Sequence, residues 1–100
     1  MKEYVSVDVE TTGLAPKQDK IIEIGAVRVR DGQIVESFTS FVNPGRILPA
    51  HITELTGILQ EQVDEAETME SVLPAFLEFA GDLPLSLIHI SEPTRPLYIS

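Results

Sequence analysis

Asp8 and Glu10 stand one residue apart in the stretch Val7-Asp8-Val9-Glu10-Thr11-Thr12-Gly13-Leu14. Residues 4–10, YVSVDVE, have the β-branched, apolar character of a strand. Side chains alternate across a strand, so the two carboxylates share one face while Val5, Val7 and Val9 share the other. Their Cα atoms are then about 6.5–7 Å apart, from the rise per residue of extended chain. A buried carboxylate without a partner costs several kcal/mol or takes up a proton, so a pair needs a reason. Divalent cations supply one. Two-metal phosphoryl-transfer sites hold their ions about 3.5–4 Å apart, and hard oxygen ligands suit Mg²⁺ or Mn²⁺. Thr11, Thr12 and Gly13 follow as a tight, polar turn where a substrate backbone could approach closely.

Two other readings fit the same residues. The pair could form the solvent face of a sheet covered on one side only. Alternatively, Asp8, Glu10, Thr12 and Gly13 fall on positions 1, 3, 5 and 6 of a calcium-loop pattern, with Asp19 at position 12. That would make a non-catalytic calcium- or metal-binding module. Its context is poor: a strand, not a helix, precedes the loop, Pro16 lies inside it, and position 12 prefers Glu.

The elements that must position these residues follow in order. TTGLAPKQD is a loop punctuated by Gly and Pro. Residues 20–30, KIIEIGAVRVR, form a second strand, and Asp31-Gly32 is a hairpin turn leading to a third, antiparallel strand over 33–42. Asn43-Pro44-Gly45 ends it. AHITELTG is a short helical turn closed by Gly57, a C-cap, and ILQEQVDEA holds another turn. From Met69 the apolar residues fall at 69, 72, 73, 76, 77 and 80, the stripe of an amphipathic helix ended by Gly81. Pro74 fits its first turn if the helix starts at Ser71, and otherwise predicts a kink. Strands first and helices after imply an α/β or α+β domain.

Composition sets outer limits. One hundred residues make one small domain or part of a larger one. With no cysteine, disulfides and thiolate metal sites are excluded. No apolar run approaches about 18 residues and no signal peptide opens the chain, so a cytoplasmic protein without membrane contact is expected. Net charge is −9, from 16 Asp and Glu against seven Lys and Arg. That argues against gripping phosphates with a basic surface. A nucleic-acid enzyme of this composition would need metal ions, or a basic portion elsewhere, to hold its substrate.

VDVETTGL resembles the first motif of the DEDD 3′–5′ exonucleases, the group that includes the proofreading epsilon subunit and the exonuclease domain of Gram-positive replicative polymerases. The resemblance continues through IIEIGAVRVRDGQIVESFTSFVNPGRILP, HITELTGI and TMESVLPAFLEFAGDLP, over residues 3–84. It implies an α/β, RNase H-like mixed sheet with flanking helices. Here that fold is expected as an incomplete N-terminal portion: three strands, short helical turns and one amphipathic helix. It implies hydrolysis at a single-stranded or frayed DNA 3′ end with two Mg²⁺ or Mn²⁺ ions, and a replicative polymerase in the parent protein. An RNA-trimming member of the same family is the alternative. Asp8 and Glu10 match the first two metal ligands of the catalytic centre. Thr11, Thr12, Gly13 and Leu14 match positions lining the terminal nucleotide, Leu14 through an apolar contact to the base. Glu54 and Leu55 lie in the segment that closes over that nucleotide. Glu23 is either an exposed strand position or a supporting acid behind the ligands.

The chain then departs from the family. Two further aspartates and a general-base histidine are missing, and LSLIHISEPTRPLYIS stands where a strand ending like HNxxFD should come. His89 is followed by no Phe-Asp, and Thr94 occupies the place of the aspartate that should trail a catalytic histidine. LSLIHISEPTRP is also what one frame of a common transposase-type sequencing adaptor encodes. Residues 1–84 are therefore expected to be the N-terminal part of an exonuclease domain, and 85–100 a non-biological tail. LSLIHI is apolar enough to be drawn into a fourth strand. The 100-residue chain itself is expected to be inactive.

Overall fold

In the computed structural model, residues 2–13 and 20–91 are described. Strands β1 (Glu3–Thr11), β2 (Ile21–Arg30) and β3 (Gln33–Phe41) come first. Helices α1 (Ala50–Thr56), α2 (Gln60–Asp64) and α3 (Met69–Ala80) follow, and β4 (Leu85–Ser91) closes the series. The sheet order is β3-β2-β1-β4. β1 runs antiparallel to β2, and β2 to β3, while β4 lies parallel to β1. The three expected strands are thus joined by a fourth, built on the LSLIHIS segment. Its pairing begins where the Val5 N–H donates to the Pro84 carbonyl.

The β2–β3 hairpin forms as its turn residues require. Asp31 and Gly32 both have positive φ, 50° and 82°, the combination that matches strand twist in a two-residue turn. Asp31 is held there by the Lys2 N–H, which donates to its Oδ1 at 3.0 Å.

One side of the sheet packs on α3. Val5, Val7, Ile24, Ala26 and Val42 meet Val72, Phe76 and Ala80 in one buried cluster, with Val9 and Phe38 at its margin. The odd-numbered residues of β1 therefore face the helix, as their alternation predicts. Arg28 bolts this layer together: it pairs with Glu36 at 2.7 Å, lies over the Phe79 ring, and donates to the Phe79 carbonyl. A second cluster, Ile22, Leu48, Ile52, Ile58 and Val63, joins α1 and α2 to the sheet beside Phe41. Gly57 caps α1 at φ 77°, its N–H bonded to the Thr53 carbonyl.

α3 begins at Met69, where the apolar stripe begins, and not at Ser71, with Thr68 as N-cap. Pro74 is therefore inside the helix, beyond its first turn, and cannot donate to the Glu70 carbonyl. The buried stripe is also narrower than expected. Val72, Phe76 and Ala80 point inward, whereas Leu73 and Leu77 remain 42% and 54% exposed.

Candidate metal and nucleotide site

Because α3 takes the Val5–Val7–Val9 side, Asp8 and Glu10 lie on the opposite face of a strand that has neighbours on both edges. The antiparallel register lays out that face in rows. Ser6 stands beside Val27 and Ser37, Asp8 beside Gly25 and Thr39, and Glu10 beside Glu23 and Phe41. Directly opposed residues in such a ladder project to the same side, with Cβ atoms about 4.5–5.5 Å apart. Gly25 leaves a trough between Asp8 and Thr39, and a shallow cavity of about 270 Å³ opens along Ser6, Asp8, Gly25, Val27, Ser37 and Thr39. A larger cavity, about 480 Å³, lies elsewhere, lined by Lys20, Ile21, Asn43, Thr68, Met69 and Glu70 among others. It contains neither carboxylate of β1.

Beyond Glu10 the strand passes through a register shift and turns. The Thr11 hydroxyl donates to the Gly13 carbonyl at 2.6 Å and accepts from the Gly13 N–H at 3.2 Å. Thr12 is buried, and its Oγ1 accepts from the Lys20 N–H at 2.9 Å, while its own N–H donates to the Lys20 carbonyl. Thr12 thus ties the end of β1 to Lys20, the residue before β2. Leu14 lies outside the described residues.

Glu54 and Leu55 are exposed on α1, which Ile52 anchors to the second cluster. Different cores therefore hold the two groups of predicted residues: the α3 cluster fixes β1, and the α1–α2 cluster fixes Glu54 and Leu55. In the backbone ladder, His89 is the parallel register partner of Asp8.

The electrostatics of the face are one-sided. Glu10 Oε2 is buried with no hydrogen-bond donor among the described residues. Burial, then the charges of Glu10 and Asp8, push the Glu23 carboxyl above the ordinary glutamate value. Hard, anionic oxygens with an unserved buried acceptor suit a divalent cation. Among the described residues, however, no group of three or more His, Asp or Glu side chains is close enough to complete a metal site. Glu23, which the sequence leaves between an exposed strand position and a supporting acid, is the cross-strand partner of Glu10. Its place opposite Glu10 depends on the pairing of β1 with β2, which composition does not encode.

A family model described as exonuclease matches residues 5–89. The DNA polymerase III PolC-type protein of Clostridium perfringens is 55% identical over 80 residues, 80% of this chain and 6% of that protein. The PolC-type protein of Bacillus subtilis is 47% identical over 79 residues, 79% of this chain and 6% of its own length. The chain thus spans about one-sixteenth of these relatives. Among solved structures, the nuclease domain of 3′hExo, a DEDDh family member bound to rAMP, matches with a TM-score of 0.72 at 28% identity, over 86% of this chain and 50% of that one. Exonuclease X in complex with 5′ overhanging duplex DNA matches with a TM-score of 0.66 at 25% identity, over 85% and 58%. The mixed sheet with flanking helices is the RNase H-like fold of these nucleases, and the chain belongs to the exonuclease family.

Proposed function

We propose that the chain is the N-terminal part of a metal-dependent 3′–5′ exonuclease that removes nucleotides from DNA 3′ ends, in a cytoplasmic protein that also carries a replicative polymerase. The observation that carries the reading is Asp8-x-Glu10 on one face of β1, followed at once by the Thr-Thr-Gly turn. DNA is favoured over RNA by the identity to polymerase relatives, 55% against 28% for the rAMP-bound nuclease domain.

Bound divalent ions, Mg²⁺ or Mn²⁺, would supply an activated water and charge neutralisation at the leaving oxygen. Asp8 and Glu10 would hold them, with ligands from outside the described residues completing the set. The Thr11–Gly13 turn brings the terminal nucleotide close to the backbone, and Leu14 contacts its base. Glu54 and Leu55 close over it from α1. Cations on the carboxylates also allow a chain of net charge −9 to meet a phosphodiester.

Residues 85–100 we assign to translated adaptor rather than gene, on the identity of LSLIHISEPTR with one adaptor frame; β4 then pairs with β1 because the segment is apolar, not because it evolved there. Genomic sequence that runs on through codon 85 into this tail overturns that assignment. On this view the purified chain releases no nucleotides from a labelled single strand with Mg²⁺. The gene continued downstream of codon 84 does so, and Asp8→Ala lowers that activity at least about 10²-fold. Release by the 100-residue chain that Asp8→Ala abolishes would refute its inactivity. Activity of the extended protein that Asp8→Ala spares would refute the site.

A further inference from the structure

The register assigns a role to Glu23: we infer that it is a positioning residue for the cation held by Asp8 and Glu10, acting through the water around that ion and not as a direct ligand. The inference rests on the metal reading of Asp8 and Glu10 and extends it to the neighbouring strand.

Three observations carry it. First, Glu23 is the cross-strand partner of Glu10 on the face that Asp8 shares, so its carboxylate adds a third negative charge to the same patch. Second, the next position of β2 on that face is Gly25, opposite Asp8. A Cβ built there would meet nothing closer than the Asp8 carbonyl oxygen at 3.8 Å. The patch therefore has open space on the β2 side for a hydrated ion. Third, Glu10 Oε2 is buried without a donor among the described residues. A cation answers that acceptor, whereas another carboxylate does not. Asp8 and Glu10 share one strand, whereas Glu23 joins the patch only across the ladder, and the three acids do not gather into one ligand group; the inference therefore sets Glu23 outside the direct ligands. A carboxylate in that position accepts hydrogen bonds from ion-bound water and raises the field at the ion, as outer partners of metal sites do.

This arrangement has a cost without metal, because three like charges repel on one face. Replacing Glu23 by Gln should therefore have opposite effects on the metal-free and metal-loaded states. Mn²⁺ binding to the 100-residue chain can be followed by the electron paramagnetic resonance signal of the free ion, and folding by circular dichroism. Glu23→Gln is expected to weaken Mn²⁺ binding about tenfold and to raise the thermal midpoint in EDTA. Glu23→Asp keeps most of the affinity, and Glu78→Gln on the exposed side of α3 changes neither reading. Asp8→Asn abolishes the binding. If Asp8→Asn abolishes binding but Glu23→Gln leaves it unchanged, the Glu23 inference fails and the site survives. If neither substitution matters, the site itself fails. A lower EDTA midpoint for Glu23→Gln would make Glu23 a merely structural acid and would also overturn the inference.

Discussion

Glu23 shows how strand pairing changes what a single residue is. In the sequence it is an acid among isoleucines; in the sheet it faces Glu10 and feels Asp8. Burial and both charges raise its carboxyl above the ordinary value of 4.5. An unfolded chain loses this proton near that ordinary value, and the folded chain only at higher pH. Across the interval the folded state holds a proton that the unfolded state has released, so this group makes stability fall as pH rises. The loss begins near 4.5 and is complete above the folded-state value. Urea denaturation of the chain and of Glu23→Gln in EDTA, stepped upward from pH 4.5, should give curves that separate, the glutamine variant gaining relative stability. Parallel curves would show that Glu23 is not perturbed. Thr12 makes the same point about legibility. Its motif suggests a substrate contact, yet it is buried and its hydroxyl accepts from the Lys20 N–H at 2.9 Å. Thr12→Val leaves that donor without its acceptor and should cost about 1–3 kcal/mol in chemical denaturation. An unchanged midpoint would mean that water replaces the hydroxyl.

At the scale of elements, α3 covers the Val5 and Val7 side of β1, while β2 and β4 pair with its two edges. Phe76 sits in the sheet-facing cluster at 7% exposure and meets Phe38 edge-on, their centroids 5.9 Å apart. Phe76→Ala should destabilise the chain by about 3–5 kcal/mol, which is much of the total for a domain of this size. The variant should lose its cooperative thermal transition, and one that melts like the parent would place the supporting core elsewhere. The helix was readable because its period is local. So was the β2–β3 hairpin, since Asp31-Gly32 names its own turn and the strands on either side alternate. The pairing of β1 with β2 was not readable, because a loop of this length leaves the register free to slide and only the packed sheet fixes it. The narrower face of α3 was hidden for the same reason: periodicity marks Leu73 and Leu77 as apolar, but what would cover them is a matter of the surrounding layers. Asp8 and Glu10, by contrast, needed only alternation along one strand.

The whole molecule carries its charge unevenly for so small a fold. Sixteen acids against seven Lys and Arg leave net −9, and the metal-free state must hold these charges together. Self-repulsion of that kind disfavours the compact state. It is screened over about 30 Å at 0.01 M salt but only about 3 Å at 1 M. Two exposed pairs, Arg28–Glu36 at 2.7 Å and Arg30–Glu3 at 3.5 Å, work the other way and weaken as salt rises, yet such pairs contribute only about 0–1 kcal/mol each. Repulsion should therefore dominate. With EDTA present throughout, raising NaCl from about 0.01 to about 1 M should increase the thermal midpoint of the chain steadily. The same series on Glu23→Gln should start higher and gain less, because one of the repelling charges on the β1–β2 face has already been removed. A midpoint that falls with salt would mean that the ion pairs outweigh the net charge. In that case cations would be needed at Asp8 and Glu10 for chemistry alone, and the acidic surface would set no condition on how the fold survives without them.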